Sequence, residues 1–511
     1  MAILAGIKNL RLLYPGEKSL LFKDLSLSFS QGERVLLLGP SGVGKSTLLQ
    51  VLAGLIPKTI DIPLKYEELI IPDSWAYVFQ DPDTQFCMSY VDEEIAFVLE
   101  NLKIHREEME EKIKYYLQLV GLSFSNYHLP ISTLSQGMKQ RLAIASALIL
   151  EPDVLFLDEP TALLDPIGTK QVWETIRAVS KEKTLIIVEH KINEIYDFVD
   201  RVIIFDDKGS IMVDGDKSVL TTHKEQIDSY GIWYPGVWED YREKKTKKTL
   251  KRDSNVLNLR SKFNLSLNGK DTKALIELAD FQGMYKNEVK ITVDKLKISS
   301  GEWITIVGEN GAGKTTFLLS LRQLIKTAGK YYLTQEEVRK NSDLTKKIGF
   351  VFQNPEFQFV TNSVQEEIGF SLKLKREQAE KIANITKKLI AAFNLIGKEK
   401  LHPYQLSIGQ KRRLSVATVL VDFVPIILLD EPTFGQDAKN TFAILEVLEE
   451  LKEQGITIMM ITHDYEIVRT FATRVLFIKD GRIMYDLKPT TFLTEVGNPF
   501  KPMQVNEYEL I

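Results

Sequence analysis

The chain has 511 residues, of which 44% are hydrophobic and 26% charged, with a formal net charge of −4 and one cysteine. That length exceeds a single hydrophobic core and predicts two or more domains. The charge excludes a general attraction to nucleic acid, and one cysteine excludes an internal disulfide, which fits a reducing compartment. No apolar run reaches the roughly 18–20 residues that span a bilayer. The opening MAILAGIKNLRLLYPGEK does not read as a secretory leader, so the expectation is a cytosolic chain that can still dock on a membrane protein.

RVLLLG at 34–39 is a short apolar run of the length a buried parallel strand uses. It leads into GPSGVGKST, which fits G-x-x-x-x-G-K-[ST]. Gly39, Pro40, Ser41, Gly42, Val43 and Gly44 form the expected phosphate cradle, with Lys45, Ser46 and Thr47 heading a helix through STLLQVLAGL. Glycines let successive backbone N–H groups turn inward around a phosphate, and the helix dipole favours the anion. Lys45 is placed to reach the β- and γ-phosphates and Ser46 to offer a hydroxyl to Mg²⁺. VFQDPDTQF follows at 78–86, containing Cys87's neighbour Phe86; Cys87 itself reads as a small buried hydrophobe. DEEIAFVLENLKIHREEMEEKIKYYLQLVGL then predicts a helical insertion. VLFLD at 154–158 predicts a second buried strand, and TLIIVEH a third. Asp158 would hold Mg²⁺ directly or through water, Glu159 would polarise the attacking water as general base, and His190 would reach the γ-phosphate.

The second half repeats this order. GENGAGKTT starts at Gly308, 308 − 39 = 269 residues after its counterpart, and VFQNPEFQF occupies 351–359. LSQGM returns as LSIGQ, LFLDEPT as ILLDEPT, and VEH as ITH, at closely matched spacing. The second cradle is therefore Gly308, Glu309, Asn310, Gly311, Ala312 and Gly313, with Lys314, Thr315 and Thr316; Asp430, Glu431 and His463 take the roles given to Asp158, Glu159 and His190. The fold class is α/β, with two tandem P-loop nucleotide-binding domains at 1–235 and 274–511. Between them GIWYPGVWEDYREKKTKKTLKRDSN reads as an extended linker over 236–273, its aromatics packed on the first domain. A second reading of its basic run is a touch point for anionic lipid head groups.

These residues resemble the ATPase domains of ABC proteins over nearly all of both halves, the linker excepted. LSQGMKQRLAIASAL and LSIGQKRRLSVATVL resemble the signature motif, Gln80 and Gln353 match the Q-loop, and Asp165 and Asp437 match the D-loop aspartate. Tyr14 sits where the family stacks an aromatic on adenine, with Tyr285 as its counterpart in a segment two residues shorter. The resemblance implies a RecA-like core, an antiparallel β subdomain and a helical subdomain in each half. It gives Gln80 and Gln353 roles in catalysis and as Mg²⁺ ligands. It also implies an internal pseudo-dimer with two sandwiched ATP molecules, one on the Lys45 loop facing Ser407, Gly409 and Gln410, the other on the Lys314 loop facing Ser135 and Gly137. The signature departs from the family where Gln136 and Ile408 replace glycine and Met138 replaces glutamine.

DPDTQ at 81–85 and NPEFQ at 354–358 are similar to the narrower Q-helix pattern x-P-D-x-Q of energy-coupling-factor (ECF) transporters, with Glu356 in place of Asp. In that family the segment lies beside the groove that grips transmembrane coupling helices. The implied protein is a peripheral ATPase on the cytoplasmic face of the cell membrane that energises import. Its implied partners are a transmembrane coupling protein and a small substrate-binding membrane protein, with no nucleic acid. Fused ATPases of this type resemble those linked to thiamine or its pyrimidine precursor. Gln85 and Gln358 are expected to meet the partner. The plainer alternative for the segment is a turn in which proline starts a helix. The rival functions are a soluble tandem ABC protein acting on ribosomes and the ATPase of an ordinary importer.

Overall fold

The computed structural model describes residues 3–16, 19–162, 164–248, 274–339, 342–422 and 424–496. It divides into two compact units, Met1–Val237 with Gly435–Lys439, and Trp238–Phe434 with Asn440–Ile511.

In the first unit a six-stranded sheet runs in the order Ile211–Asp216, Arg201–Phe205, Arg34–Leu38, Thr184–Val188, Val154–Asp158, Trp75–Val78. All neighbours are parallel except the edge strand Ile211–Asp216. The strands Val154–Asp158 and Thr184–Val188 are buried at every residue, which is why they read as unbroken apolar runs rather than alternating ones. A separate antiparallel sheet pairs Ile3–Leu12 with Phe22–Ser30, Leu64–Lys65 and Glu68–Ile70. Its inner face alternates, with Phe22, Leu25, Leu27 and Phe29 buried. The helix Lys45–Leu52 lies in the core these two sheets share, through Leu48, Leu49, Val51 and Leu52. Each such buried side chain contributes about 1.5–3 kcal/mol, so the helix that carries the lysine is fixed by its own hydrophobic face. The predicted insertion is two helices, Val91–Asn101 and Arg106–Leu119, each with acidic residues in its first turn to suit the helix dipole.

The second unit joins the same parts into one ten-stranded sheet. Its order is Glu336–Glu337, Lys326–Leu333, Ala274–Tyr285, Glu288–Ser299, Arg482–Leu487, Arg474–Lys479, Trp303–Val307, Thr457–Ile461, Ile426–Asp430, Ile348–Val351. The antiparallel part meets the parallel core where Thr292 pairs with Arg482. Helices Val364–Leu374 and Ala379–Ala392 form its helical part. In both units the register sets the carboxyl ends of the acid and histidine strands side by side: Asp158 pairs with Val188, and Asp430 with Ile461.

The segment read as an extended linker begins instead as a helix, Val237–Lys248. Tyr241 stacks on Phe442 with ring centroids 4.1 Å apart and planes at 4°, and Trp238 meets the same ring edge-on at 4.9 Å. Lys245 pairs with Glu449 at 2.7 Å and covers Phe471, and Arg242 pairs with Glu466. Trp238 and Tyr241 therefore pack within the second unit, not on the first as expected. Positions three apart share a helix face, and a Glu/Lys/Arg-rich stretch is a good helix former once that face is buried. Two cations of the basic run meet protein carboxylates here, and residues 249–273 of the run and linker lie outside the described residues.

Candidate nucleotide-binding site

Both phosphate loops run from a strand into a helix capped by a left-handed glycine, Gly44 at φ 97° and Gly313 at φ 101°. A Cβ on Gly44 would come within 2.8 Å of the Leu21 and Phe22 side chains, and one on Gly313 within 2.7 Å of the Lys290 carbonyl. Glycine is thus required by both conformation and space. Lys45 Nζ donates to the carbonyls of Gly39 and Pro40 at 2.8 and 3.0 Å, and Lys314 Nζ to those of Gly308 and Glu309 at 2.7 and 2.8 Å. Each ammonium is buried within its own loop. Burial pulls Lys45 below the ordinary lysine range, against the attraction of Glu159. The Tyr14 hydroxyl lies 2.8 Å from Thr47 Oγ1, which sets this aromatic at the head of the same helix; Tyr285 ends its strand exposed.

Ser46 Oγ donates to Asp158 at 2.8 Å, and Thr315 Oγ1 to Asp430 at 2.8 Å. Asp158 also accepts the Tyr77 hydroxyl at 2.9 Å. The second site has Phe350 at that position, and there Asp430 Oδ1 is buried with no hydrogen-bond partner. A hydroxyl beside a carboxylate with an unsatisfied oxygen fits Mg²⁺, a hard cation that prefers oxygen donors and takes the rest of its shell from nucleotide phosphates and water. Among the described residues no group of three or more His, Cys, Asp or Glu side chains forms a metal site by itself.

Burial raises Asp430 to about 6. Its proton is bound more tightly in the folded chain than in the unfolded one, so ionisation near pH 7.5 opposes folding, and that cost fades as the pH falls through 6. Asp430→Asn is therefore expected to stabilise the nucleotide-free chain by about 1–3 kcal/mol at pH 7.5 while removing the added stability from Mg·ATP. Denaturant unfolding with and without Mg·ATP checks this; a destabilised nucleotide-free variant would contradict it.

Glu159 and Glu431 each follow the acid in a left-handed conformation, at φ 49° and 50°. This is a strained setting for a non-glycine residue, and it recurs in both halves. Their backbone N–H groups are held by Val188 O at 2.8 Å and Ile461 O at 3.2 Å. Gln80 Nε2 donates to one oxygen of Glu159 at 2.7 Å, and His190 Nε2 lies 3.0 Å from the other. His463 Nε2 lies 3.2 Å from Glu431. Burial pushes Glu159 up, but His190 and Lys45 outweigh it and hold the carboxyl below its usual range; Glu431 is likewise lowered against its burial, chiefly by His463. His190 is raised in return, its burial outweighed by Glu159. Two ionised carboxylates, each beside an imidazole at the mouth of a phosphate loop, are suited to accept a proton from water.

Residues 22–162 and 292–434 each match the ABC transporter family model. The chain belongs to the ABC transporter family. It is an ABC ATP-binding protein with two tandem domains of the P-loop NTPase fold, in a family of ATPases. It is 35% identical to a Bacillus subtilis protein provisionally named an HMP/thiamine import ATP-binding protein, over 96% of this chain and 93% of that one. It is 33% identical to a Saccharolobus solfataricus ABC transporter ATP-binding protein, over 99% and 97% of the two chains. Among solved structures, cbiO1 of Clostridium perfringens, described as part of the ABC transporter complex cbiONQ, aligns at a TM-score of 0.40 with 27% identity. That alignment covers 44% of this chain and 92% of the other.

In this ABC protein Ser135 and Ser407 cap the signature helices Gln136–Leu148 and Ile408–Leu420, accepting the N–H of Met138 and Gln410 at 3.3 Å. Gln410 Oε1 accepts the Ser407 N–H at 3.1 Å and completes a capping box that Met138 cannot form. Gly137 and Gly409 lie in the first turns behind these caps. Asp165 caps the helix Pro166–Val179 through the Gly168 N–H at 2.7 Å.

The repeated Q segments are short 3₁₀ turns, Pro82–Thr84 and Pro355–Gln358, capped by Asp81 and Asn354. Gln85 and Gln358 do not turn outward. Gln85 Nε2 donates to the Ala143 carbonyl at 3.0 Å, and Gln358 Nε2 to the Ser415 carbonyl at 2.8 Å, both on the signature helix of the same domain. The acid of each phrase does likewise: Asp83 pairs with Lys139 at 2.6 Å and Glu356 with Lys411 at 2.5 Å. An amide able to donate and accept finds both partners in its own domain before any outside helix is needed. Just beyond, the buried Glu94 accepts the N–H groups of Cys87 and Met88, and Glu367 those of Val360 and Thr361. Cys87 is exposed, not buried as expected, because this clamp engages its backbone and leaves the thiol outside. The recurrence of these acids and lysines in both halves was the available sequence signal. Gln85→Ala with Gln358→Ala would untie each Q segment from the helix behind it and is expected to lower basal ATPase of the isolated chain several-fold, about 1 kcal/mol per site. Unchanged ATPase in that variant would show that the ties are incidental to turnover.

Proposed function

We propose that the chain binds and hydrolyses ATP with Mg²⁺ to energise import through a separate membrane component of an ECF-type transporter. Its two domains, 1–235 and 274–511 joined by 236–273, work as an internal pseudo-dimer. The partners are a transmembrane coupling protein and a small substrate-binding membrane protein, met at the cytoplasmic face of the cell membrane. When bound, Mg²⁺ supplies charge neutralisation at the β- and γ-phosphates; Ser46 with Asp158 and Thr315 with Asp430 are the residues that would hold it. Lys45 and Lys314 neutralise the phosphates from the loops. Glu159 and Glu431 take the proton of the attacking water, and His190 and His463 hold those carboxylates in place and face the γ-phosphate.

The observation that carries the transport reading is the outer surface of the second Q segment. Its inner side is tied to the signature helix, yet Phe357 and Val360 stand 76% and 66% exposed. Their counterparts in the first domain are Thr84 and Cys87. An aromatic and a branched side chain held in water on a rigid turn, beside the nucleotide-sensing glutamine, suit a partner's helix. No helix among the described residues is long and apolar enough to cross a membrane. The name of the Bacillus subtilis relative favours thiamine or its pyrimidine precursor as the cargo class.

Affinity purification from membranes, followed by identification of the bound proteins, tests the reading. A multi-span protein is expected with the wild-type chain. Phe357→Ser with Val360→Ser should weaken its capture roughly ten-fold or more, given about 1.5–3 kcal/mol per large apolar side chain, with basal ATPase kept. Recovery with ribosomes instead of membrane proteins would overturn it.

A further inference from the structure

Glu189 is a buried carboxylate that none of these steps uses. It directly follows the strand Thr184–Val188, one residue before His190, and is 2% exposed. One of its oxygens accepts the Thr161 hydroxyl, and the other accepts the His190 backbone N–H at 3.0 Å. Thr161 is also buried and stands two residues beyond Glu159, where its carbonyl accepts the Leu164 N–H at 3.1 Å. One side chain therefore joins the loop that carries Glu159 to the loop that carries His190.

The second domain has no carboxylate there. Thr462 occupies the position, and its hydroxyl accepts the Asp464 N–H at 3.1 Å. A different side chain reaches the catalytic loop: Arg412, buried on the signature helix, donates to the backbone carbonyl of Glu431 at 2.5 Å. The counterpart of Arg412 is Gln140, whose amide goes to the Phe79 carbonyl at 3.3 Å and not to Glu159. Each domain thus has a brace to its catalytic glutamate loop that the other lacks, and the two braces differ in chemistry.

We propose that Glu189 is a positioning residue of the first ATP site, holding Glu159 against His190, and that Arg412 does the equivalent work on Glu431. This rests on Glu159 and Glu431 being the general bases. Burial pushes Glu189 up to about 7, opposed by the Thr161 and His190 hydrogen bonds. A neutral side chain of equal reach should therefore be tolerated. In Glu189→Gln the amide N–H can donate to Thr161 Oγ1 while its oxygen accepts the His190 N–H, so both links survive.

The test is steady-state ATPase of the full chain, with ATP binding measured by a fluorescent nucleotide. Glu189→Ala with Arg412→Gln, which removes the brace from both domains, is expected to lower kcat about ten-fold, because small misplacements of catalytic groups are costly, with KM changed by less than about two-fold; Glu189→Ala alone should lower it about two-fold, since the second site still turns over. Glu189→Gln alone should keep close to the wild-type rate. Arg412→Gln alone should reproduce the smaller kcat loss without weakening ATP binding. A wild-type kcat in Glu189→Ala overturns the proposal, and so does a Gln variant as impaired as the Ala variant. Should the Ala variant not fold, Glu189→Thr decides. It installs the second site's residue, too short to reach Thr161; a lower kcat with ATP binding intact supports the brace, and a normal kcat overturns it. Glu159→Gln in parallel separates the two ideas: persistence of normal turnover there removes the general-base reading itself, whatever Glu189 does.

Discussion

Changing Glu159 and Glu431 together to glutamine will leave ATP bound and stop its turnover. The phosphate loops are built independently of these side chains: Lys45 and Lys314 are held by their own loop carbonyls. Glutamine has the size of glutamate and can remain beside His190 and His463, so the left-handed turns at φ 49° and 50° keep their packing. What is lost is the group that accepts the water's proton. Both carboxyls are held in the ionised form against burial, so at neutral pH the wild-type chain carries a ready base in each domain. General-base catalysis is worth about 10²–10⁴-fold, and the double variant should lose at least that much in kcat. Phosphate-release assays and fluorescent-nucleotide binding measure the two halves of the claim. Near-normal hydrolysis would show that these carboxylates are not the bases.

The features legible in the sequence were those in which chemistry demands a residue type at a fixed spacing. Gly44, Lys45 and Ser46 had to be contiguous for one loop to cradle a phosphate, and Asp158 and Glu159 had to end a buried strand. Strand burial was equally legible, because VLFLD and IILLD have no polar residue to face water before the strand end. Side-chain direction in short turns was not. Nothing local in DPDTQ or NPEFQ says that Gln85 and Gln358 bond to helix carbonyls about sixty positions away. The same limit hid Glu189 and Arg412: each acts on a loop remote in sequence, and each occurs in only one half, so the repeat that exposed the other site residues passed over them. The helix Val237–Lys248 was missed for another reason. Its composition reads as a charged linker, and the rings of Phe442 and Phe471 beneath Trp238, Tyr241 and Lys245 give it an apolar face to bury.

Removing the loop lysines, by Lys45→Ala with Lys314→Ala, is expected to abolish measurable ATP binding. Each ammonium is the one cation inside its loop that the sequence places against the β- and γ-phosphates, and each is already desolvated, so its attraction for an anion is little screened. A hydrogen bond to a charged group contributes about 1.5–3 kcal/mol, and loss of two such contacts per nucleotide weakens affinity by roughly 10²–10⁴-fold. The variant also leaves the carbonyls of Gly39, Pro40, Gly308 and Glu309 without these donors, so the loops should relax even before nucleotide arrives. Single variants bear on the equivalence of the sites. Met138 in place of glutamine predicts a weaker Lys314 site if Gln410's amide serves ATP. Gln410 Oε1 accepts the Ser407 N–H at 3.1 Å in its own helix cap, a bond that uses the oxygen and not the amide N–H donors. Lys45→Ala should therefore weaken binding somewhat more than Lys314→Ala. Titration calorimetry with a non-hydrolysable ATP analogue and Mg²⁺ reads this directly: loss of one binding event in each single variant and of both in the double variant. A double variant that still binds near wild-type affinity would remove these lysines from the phosphate site.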